Sequence, residues 1–170
     1  MIGLNKGKTI LMIGPGLDSK GGMATVERQL VDLLPRYGLE LRFIETYNDC
    51  SKPKKALIAA EGYVRFCSEL SQCDIIHVHM ASRGSYRRKK PFIAMALRKR
   101  KRVVVHLHGG EFAKWYETEL EKDGRNDIRS LFSSVDALIV LSEEWRDWVL
   151  ENVCTPKKLI VMHNGVSLPP

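Results

Sequence analysis

Six short apolar runs, several rich in β-branched residues, recur along the chain, and stretches of helical periodicity separate them. That alternation restricts the fold more than any other feature. The runs are Thr9–Ile13, Leu41–Glu45, Asp74–His79, Arg102–His108, Ala137–Leu141 and Lys158–Met162. Between them, Met23, Val26, Leu30 and Leu33, and then Leu57, Ala60, Val64 and Cys67, recur at the spacing of one helix face. Gly38, after Leu33-Leu34-Pro35, predicts a helix stop. Ser142 followed by Glu143 and Glu144 predicts a helix start, a capping hydroxyl with acids at the positive end of the dipole. Strands alternating with helices build a parallel sheet covered on both faces. The expected class is α/β, a Rossmann-like doubly wound parallel β-sheet flanked by helices. Ligands of such sheets bind beyond the carboxyl ends of the strands.

Those ends carry the polar chemistry. The first run leads into Gly14-Pro15-Gly16, the third ends in His77-Val78-His79, the fourth in His106-Leu107-His108 before Gly109-Gly110, the fifth in Ser142 and the last in His163-Asn164. All five histidines lie at or next to strand ends. The loop Gly14–Gly22 could bring a diphosphate to backbone N–H groups at a helix N-terminus. It is not a dinucleotide fingerprint, because Ser19 holds the third glycine place, and no G-K-[ST] follows to make a P-loop. A flexible turn with a glycine cap is the plainer reading. His79 and His108 are expected to point into one crevice, with Gly109 and Gly110 leaving the His108 imidazole uncovered. A neutral imidazole there could hydrogen-bond hydroxyls or accept a proton.

At 170 residues one domain is expected. The net charge of +7 is local: ten Lys and Arg and no acid lie between Arg83 and Arg102, and the remaining residues net −3. Pro91 fits the first position of a helix. Arg87-Arg88-Lys89-Lys90 would then precede that helix, where positive charge opposes the dipole. This points to an anionic ligand or an anionic membrane surface, with a solvated face as the alternative. Aromatics do not interleave with these charges, which disfavours nucleic acid. No run is long enough to span a bilayer and no signal peptide opens the chain, so a cytoplasmic protein is expected, peripheral on the inner membrane face. Cys50, Cys67, Cys73 and Cys154 have no metal-ligand spacing, and neither a metal nor a cofactor is expected. Trp145 and Trp148 read as core, whereas Trp115 and Tyr116 could edge a sugar site.

In their order, these motifs resemble family-4 retaining glycosyltransferases of the two-Rossmann-domain (GT-B) kind. The matching pieces are Gly21-Gly22-Met23, Asp74 to His79, Val103 to Gly109, Ser134 to Ser142 and Ile160 to Val166. The resemblance implies a nucleotide-sugar donor, UDP- or GDP-linked, an alcohol on a glycan or lipid carrier as acceptor, retention at the anomeric carbon and no metal. It implies that Gly21 and Gly22 lie against the donor diphosphate and that His108 contacts the reacting sugar region. His79, Arg83 and Glu111 are implied, by position, to shape the acceptor pocket. Residues 1–166 would form the N-terminal, acceptor-side domain and 167–170 would begin the interdomain linker. The donor-binding domain would be absent and the chain inactive alone. Ser167 stands where the family usually has Asp.

Two other readings compete. Gly14-Pro15-Gly16 with Glu45 after it could belong to an NAD-dependent oxidoreductase domain, although no Tyr-x-x-x-Lys pair is present. The basic segment could instead make the chain a non-catalytic module for a membrane or an acidic partner.

Overall fold

A computed structural model describes residues 7–164, so the boundary at 166 and the linker at 167–170 lie outside the described residues. Six strands, β1 (Thr9–Gly14), β2 (Glu40–Glu45), β3 (Ile75–Met80), β4 (Arg102–Leu107), β5 (Ala137–Val140) and β6 (Leu159–Val161), form one sheet in the order β2-β1-β3-β4-β5-β6. Every pairing is parallel. Six helices connect or flank them: α1 (Gly22–Leu33), α2 (Lys52–Glu69), α3 (Gly84–Arg98), α4 (Glu111–Thr118), α5 (Lys122–Ser134) and α6 (Glu143–Asn152). The expected Rossmann-like architecture is therefore present. The strand expectations hold to within a residue at each end.

The chain leaves β1 for the edge strand β2 and then returns past β1 to β3. Right-handed crossovers then put α1 on one face and the later helices on the other. On the later-helix face, Leu11, Ile13, Ile76, Val78, Met80, Val103, Val105 and Leu107 pack with Phe66 of α2, Phe92 of α3, Phe112 of α4 and Phe132 of α5 in one core. The rings of Phe66 and Phe92 meet edge-on at 5.1 Å. Two aspartates fix strand register. Asp74 accepts the Thr9 N–H at 2.9 Å, and Asp136 accepts the Val103 N–H at 2.8 Å. The predicted stops and starts hold. Gly38 adopts φ 76° after the 3-10 turn Leu34–Tyr37, and Ser142 Oγ accepts the Trp145 N–H at 3.3 Å.

Two local expectations are corrected. Pro91 does not open its helix, because α3 begins at Gly84 and runs through it. The proline removes one N–H from the ladder. Burial of Tyr86, Lys89, Phe92, Ile93 and Ala96 along one side nevertheless holds the helix together. The periodic stripe of α2 is real but faces outward. Val64 is 71% and Leu57 58% exposed, and the buried face is Gly62, Phe66 and Leu70, the last just past the helix end. Gly62 sets that face, since a Cβ there would sit 2.5 Å from the Glu45 carbonyl oxygen. Trp115 and Tyr116 are 5% and 3% exposed and belong to the core, not to a sugar site. No helix among the described residues is long and apolar enough to cross a membrane. The four cysteines are free thiols.

The two faces of α2 predict opposite responses to substitution. Phe66→Ala is expected to lower unfolding free energy by about 3–5 kcal/mol, and Val64→Ser to change it by no more than about 0.5 kcal/mol. Urea denaturation of both variants checks this.

Candidate functional site

The order reversal between β1 and β3 opens a crevice at their carboxyl ends, and the polar groups gather there. A strand alternates its side chains between faces. His77 and His79 of β3 therefore share the α1 face with His106 of β4 and with His108 beyond its end. The register pairs His79 with His106. The four rings form a stack with centroids 4.1–5.7 Å apart. His79 Nδ1 and His108 Nε2 share a hydrogen bond of 2.9 Å. All four are buried, with His79 and His106 fully so. His108 is only 4% exposed, so the expectation of an uncovered imidazole is wrong. Its ring packs against those of His106 and His79.

Burial lowers the basicity of every ring. His77 falls to about 4, His108 to about 3, His106 to about 2 and His79 well below its ordinary value, with neighbouring imidazoles adding to the effect for the last three. All are neutral at pH 7. His77 Nε2, His79 Nε2, His108 Nδ1 and both nitrogens of His106 have no hydrogen-bond partner. Ring nitrogens of His77, His79 and His106 lie within 4.8 Å of one another, a set that could hold a metal ion.

α1 brings Glu27 into this layer. Its carboxylate is fully buried, 3.9 Å from His79 Nδ1, with neither oxygen hydrogen-bonded. Gly14 makes room for it, since a Cβ there would run into the carboxyl group. Gly16 likewise clears the Glu45 carboxylate. These two glycines therefore serve close approach of acids. Gly21 is the cap of α1 at φ 122°, where side chains are strained, and open space surrounds both Gly21 and Gly22. No side chain caps α1, which leaves its first N–H groups free for a ligand. Lys89 of α3 is 1% exposed and donates to Ser85 Oγ at 3.1 Å. Burial pushes the Glu27 carboxyl up and the Lys89 ammonium down, and their mutual attraction only partly offsets this.

The other sequence candidates are dispersed. Arg83 stands before α3 at φ 49°, bonds the Glu119 carboxylate through Nε and Nη2, and lies 3.9 Å from Glu111. Arg83 and Glu111 are thus neighbours on the exposed rim. Arg87, Arg88, Lys89 and Lys90 do not make one patch, because consecutive helix residues point in different directions. Arg87 is exposed, Arg88 lies over the Tyr47 ring at 4.9 Å, Lys89 is buried, and Lys90 bonds Asp127 at 2.7 and 2.8 Å. His163 is exposed and donates to the Leu141 carbonyl at 3.1 Å, outside the stack. Glu27 and Tyr47 escaped the sequence reading, and Lys89 was read there as part of an anion or membrane patch. The one available signal was an acid three residues after Ala24 on an otherwise apolar helix face.

Glycines at a helix start and imidazoles at the switch point of a parallel sheet define a Rossmann-like ligand-binding domain. More narrowly, the chain belongs to glycosyltransferase family 4, whose family model matches residues 20–168. No curated protein matches it. Among solved structures, the sucrose-phosphate synthase of Thermosynechococcus elongatus superposes with a TM-score of 0.64 at 12% identity, covering 91% of this chain and 48% of that one. The chain thus spans about half the length of that structure. A 2-deoxyribosyltransferase from Bacillus psychrosaccharolyticus gives a TM-score of 0.46 at 10% identity, covering 86% of this chain and 98% of that one. The chain is a glycosyltransferase domain, which sets aside the oxidoreductase reading.

The imidazole stack predicts acid sensitivity. Above pH 6.5 the rings are neutral whether folded or not. Below it, the unfolded chain takes protons that the folded chain refuses, so stability is lost as pH falls from 6.5 toward about 4, 3 and 2 for His77, His108 and His106. Glu27, raised to about 8, acts in the opposite sense between its ordinary value of 4.5 and 8. It is outnumbered by the imidazoles. Urea denaturation at pH 7, 6 and 5 should show falling stability. His106→Leu should reduce the slope by up to about 1.4 kcal/mol per pH unit.

Proposed function

We propose that the chain is the acceptor-side domain of a retaining hexosyltransferase. It would move a sugar from a UDP- or GDP-sugar to a hydroxyl of a glycan or lipid-linked acceptor in surface polysaccharide synthesis, without a metal or other cofactor. The single observation that carries this reading is the His79–His108 hydrogen bond at the same strand-end crevice into which the uncapped start of α1 opens. Gly21 and Gly22 would receive the donor diphosphate on backbone N–H groups. A second, donor-binding domain would supply the nucleotide pocket. This chain alone would then be inactive.

Burial pushes the His108 imidazole down to about 3, which makes it a poor proton acceptor at pH 7. Its role would be that of a neutral, buried ring that shapes the floor of the place where the reacting sugar lies. His79 is fully buried, so it does not meet an acceptor itself, and the shared bond couples its tautomer to that of His108. Arg83 and Glu111, exposed on the rim, would meet the acceptor. With retention, the acceptor oxygen approaches the anomeric carbon on the side the diphosphate leaves. The carbon–oxygen bond to the acceptor forms as the bond to diphosphate breaks, and the hydroxyl proton passes to the departing phosphate oxygen. The exposed Arg87 and the basic junction at 98–102 support a peripheral seat on the inner membrane face, where lipid-linked acceptors are met.

The test uses the complete enzyme with its donor domain, radiolabelled UDP- and GDP-sugars, and lipid-linked and glycan acceptors. Label should pass to an acceptor. His108→Ala should lower kcat by about 100-fold or more with an unchanged circular dichroism spectrum. Failure of every donor overturns the reading, and unchanged turnover removes His108 from the site.

A further inference from the structure

A second polar site lies between the first loop and α3. Here a cavity of about 170 Å³ is walled by Ser19, Tyr47, Ser85, Arg88 and Lys89, with Met23 and Ala24 at the start of α1. Gly21 and Gly22 do not line it. The transfer reading assigns these residues nothing, yet their polar groups are left incomplete. Ser19 is 3% exposed and its hydroxyl has no partner. Lys89, at 1% exposure, has three N–H donors and spends one on Ser85. Arg88 Nε is buried without a partner.

The surrounding charge favours an anion. A buried ammonium with no carboxylate in bonding range is costly. Lys20 also lines the cavity, and its backbone N–H is given to Asp49. Of the acids nearby, Asp49 is held by that N–H and by the Tyr47 hydroxyl, and Glu27 lies in the layer with His79. Two helix starts contribute to the walls. α1 carries no side-chain cap, and α3 has no acid in its first turn, where its dipole would favour one.

We propose that this cavity seats a phosphate group carried by the acceptor, with Arg88 and Lys89 balancing its charge and Ser19 and Ser85 bonding its oxygens. The assignment of that phosphate to the acceptor rests on the transfer reading above. It deepens that reading by restricting acceptors to anionic ones, and the site is separate from the donor diphosphate place at Gly21 and Gly22. The cavity also reaches Ala81, two residues beyond His79 at the end of β3, so a phosphate held there would hang its sugar or lipid beside the reacting centre.

The test is a ¹H–¹⁵N NMR titration of the protein at pH 7 with inorganic phosphate, with methyl glucoside as a neutral control. Saturable shifts are expected at the amides of Ser19, Lys20 and residues 84–89 and not at Gly21 and Gly22, and none with methyl glucoside. Arg88→Gln should weaken binding by about tenfold, and Ser19→Ala by a smaller factor, with melting temperatures near that of the native protein. Absence of saturable shifts, or equal binding by Arg88→Gln, overturns the proposal. Glycerol 3-phosphate and phosphatidylglycerol vesicles then identify the carrier. Sedimentation with vesicles that Arg88→Gln abolishes assigns the phosphate to a lipid. Binding of glycerol 3-phosphate without sedimentation assigns it to a soluble acceptor. No donor sugar is involved, so loss of transfer with intact phosphate binding would refute only the transfer reading, and the reverse only this one.

Discussion

In a parallel sheet, side-chain alternation gives a strand's two faces different surroundings, and in this chain it gathers all four strand-end histidines of β3 and β4 on one of them. Along β3 and β4 the even-step neighbours on one side are Ile76, Val78, Met80, Val103, Val105 and Leu107, which join the phenylalanine core. The residues between them put His77, His79, His106 and His108 on the other side. Register does the rest, because pairing His79 with His106 brings the rings into contact. The arrangement is tolerated only while the rings are neutral. Four charged imidazoles at these distances, without water, would repel one another strongly.

That layer dictates what may lie over it. α1 covers it with Ala24, Val26 and Glu27, and glycine is required at position 14 because the carboxyl group occupies the space of a Cβ. The glycine-rich opening of the loop is thus a packing device in its first half. Only in its second half, at Gly21 and Gly22, does it leave backbone open to a ligand. The fold reversal at β1 places both halves at the same sheet edge as the histidines.

The strands were legible because they are short, largely apolar runs with β-branched residues, as strands covered on both faces are, and the crevice followed from a topological rule rather than from any contact. What escaped the sequence depended on partners far along the chain. The stripe of Leu57 and Val64 has helical spacing but faces outward. The buried side of α2 is chosen by Gly62, which must pass the Glu45 carbonyl. Pro91 suggested a helix start, yet burial of Tyr86 and Lys89 extends α3 seven residues before it. The basic run looked uniform in sequence, and α3 sends its four members to four different environments. Asp74 and Asp136 were read as parts of family motifs. Their carboxylates in fact cap neighbouring strands, a role visible only once β1 lies beside β3 and β4 beside β5.

Lys89 joins the two polar regions. On one side it lines the cavity with Arg88 and Ser19, and on the other its charge is felt by His79 and His108. An anion in the cavity would favour the charged ammonium by adding the attraction that burial removes. A charged Lys89 in turn makes protonation of His79 and His108 still less favourable. His108 is neutral at pH 7 with or without that anion, because burial already holds it down to about 3. The buried lysine, which weakens the fold when considered alone, becomes the group whose burial an anionic acceptor would offset.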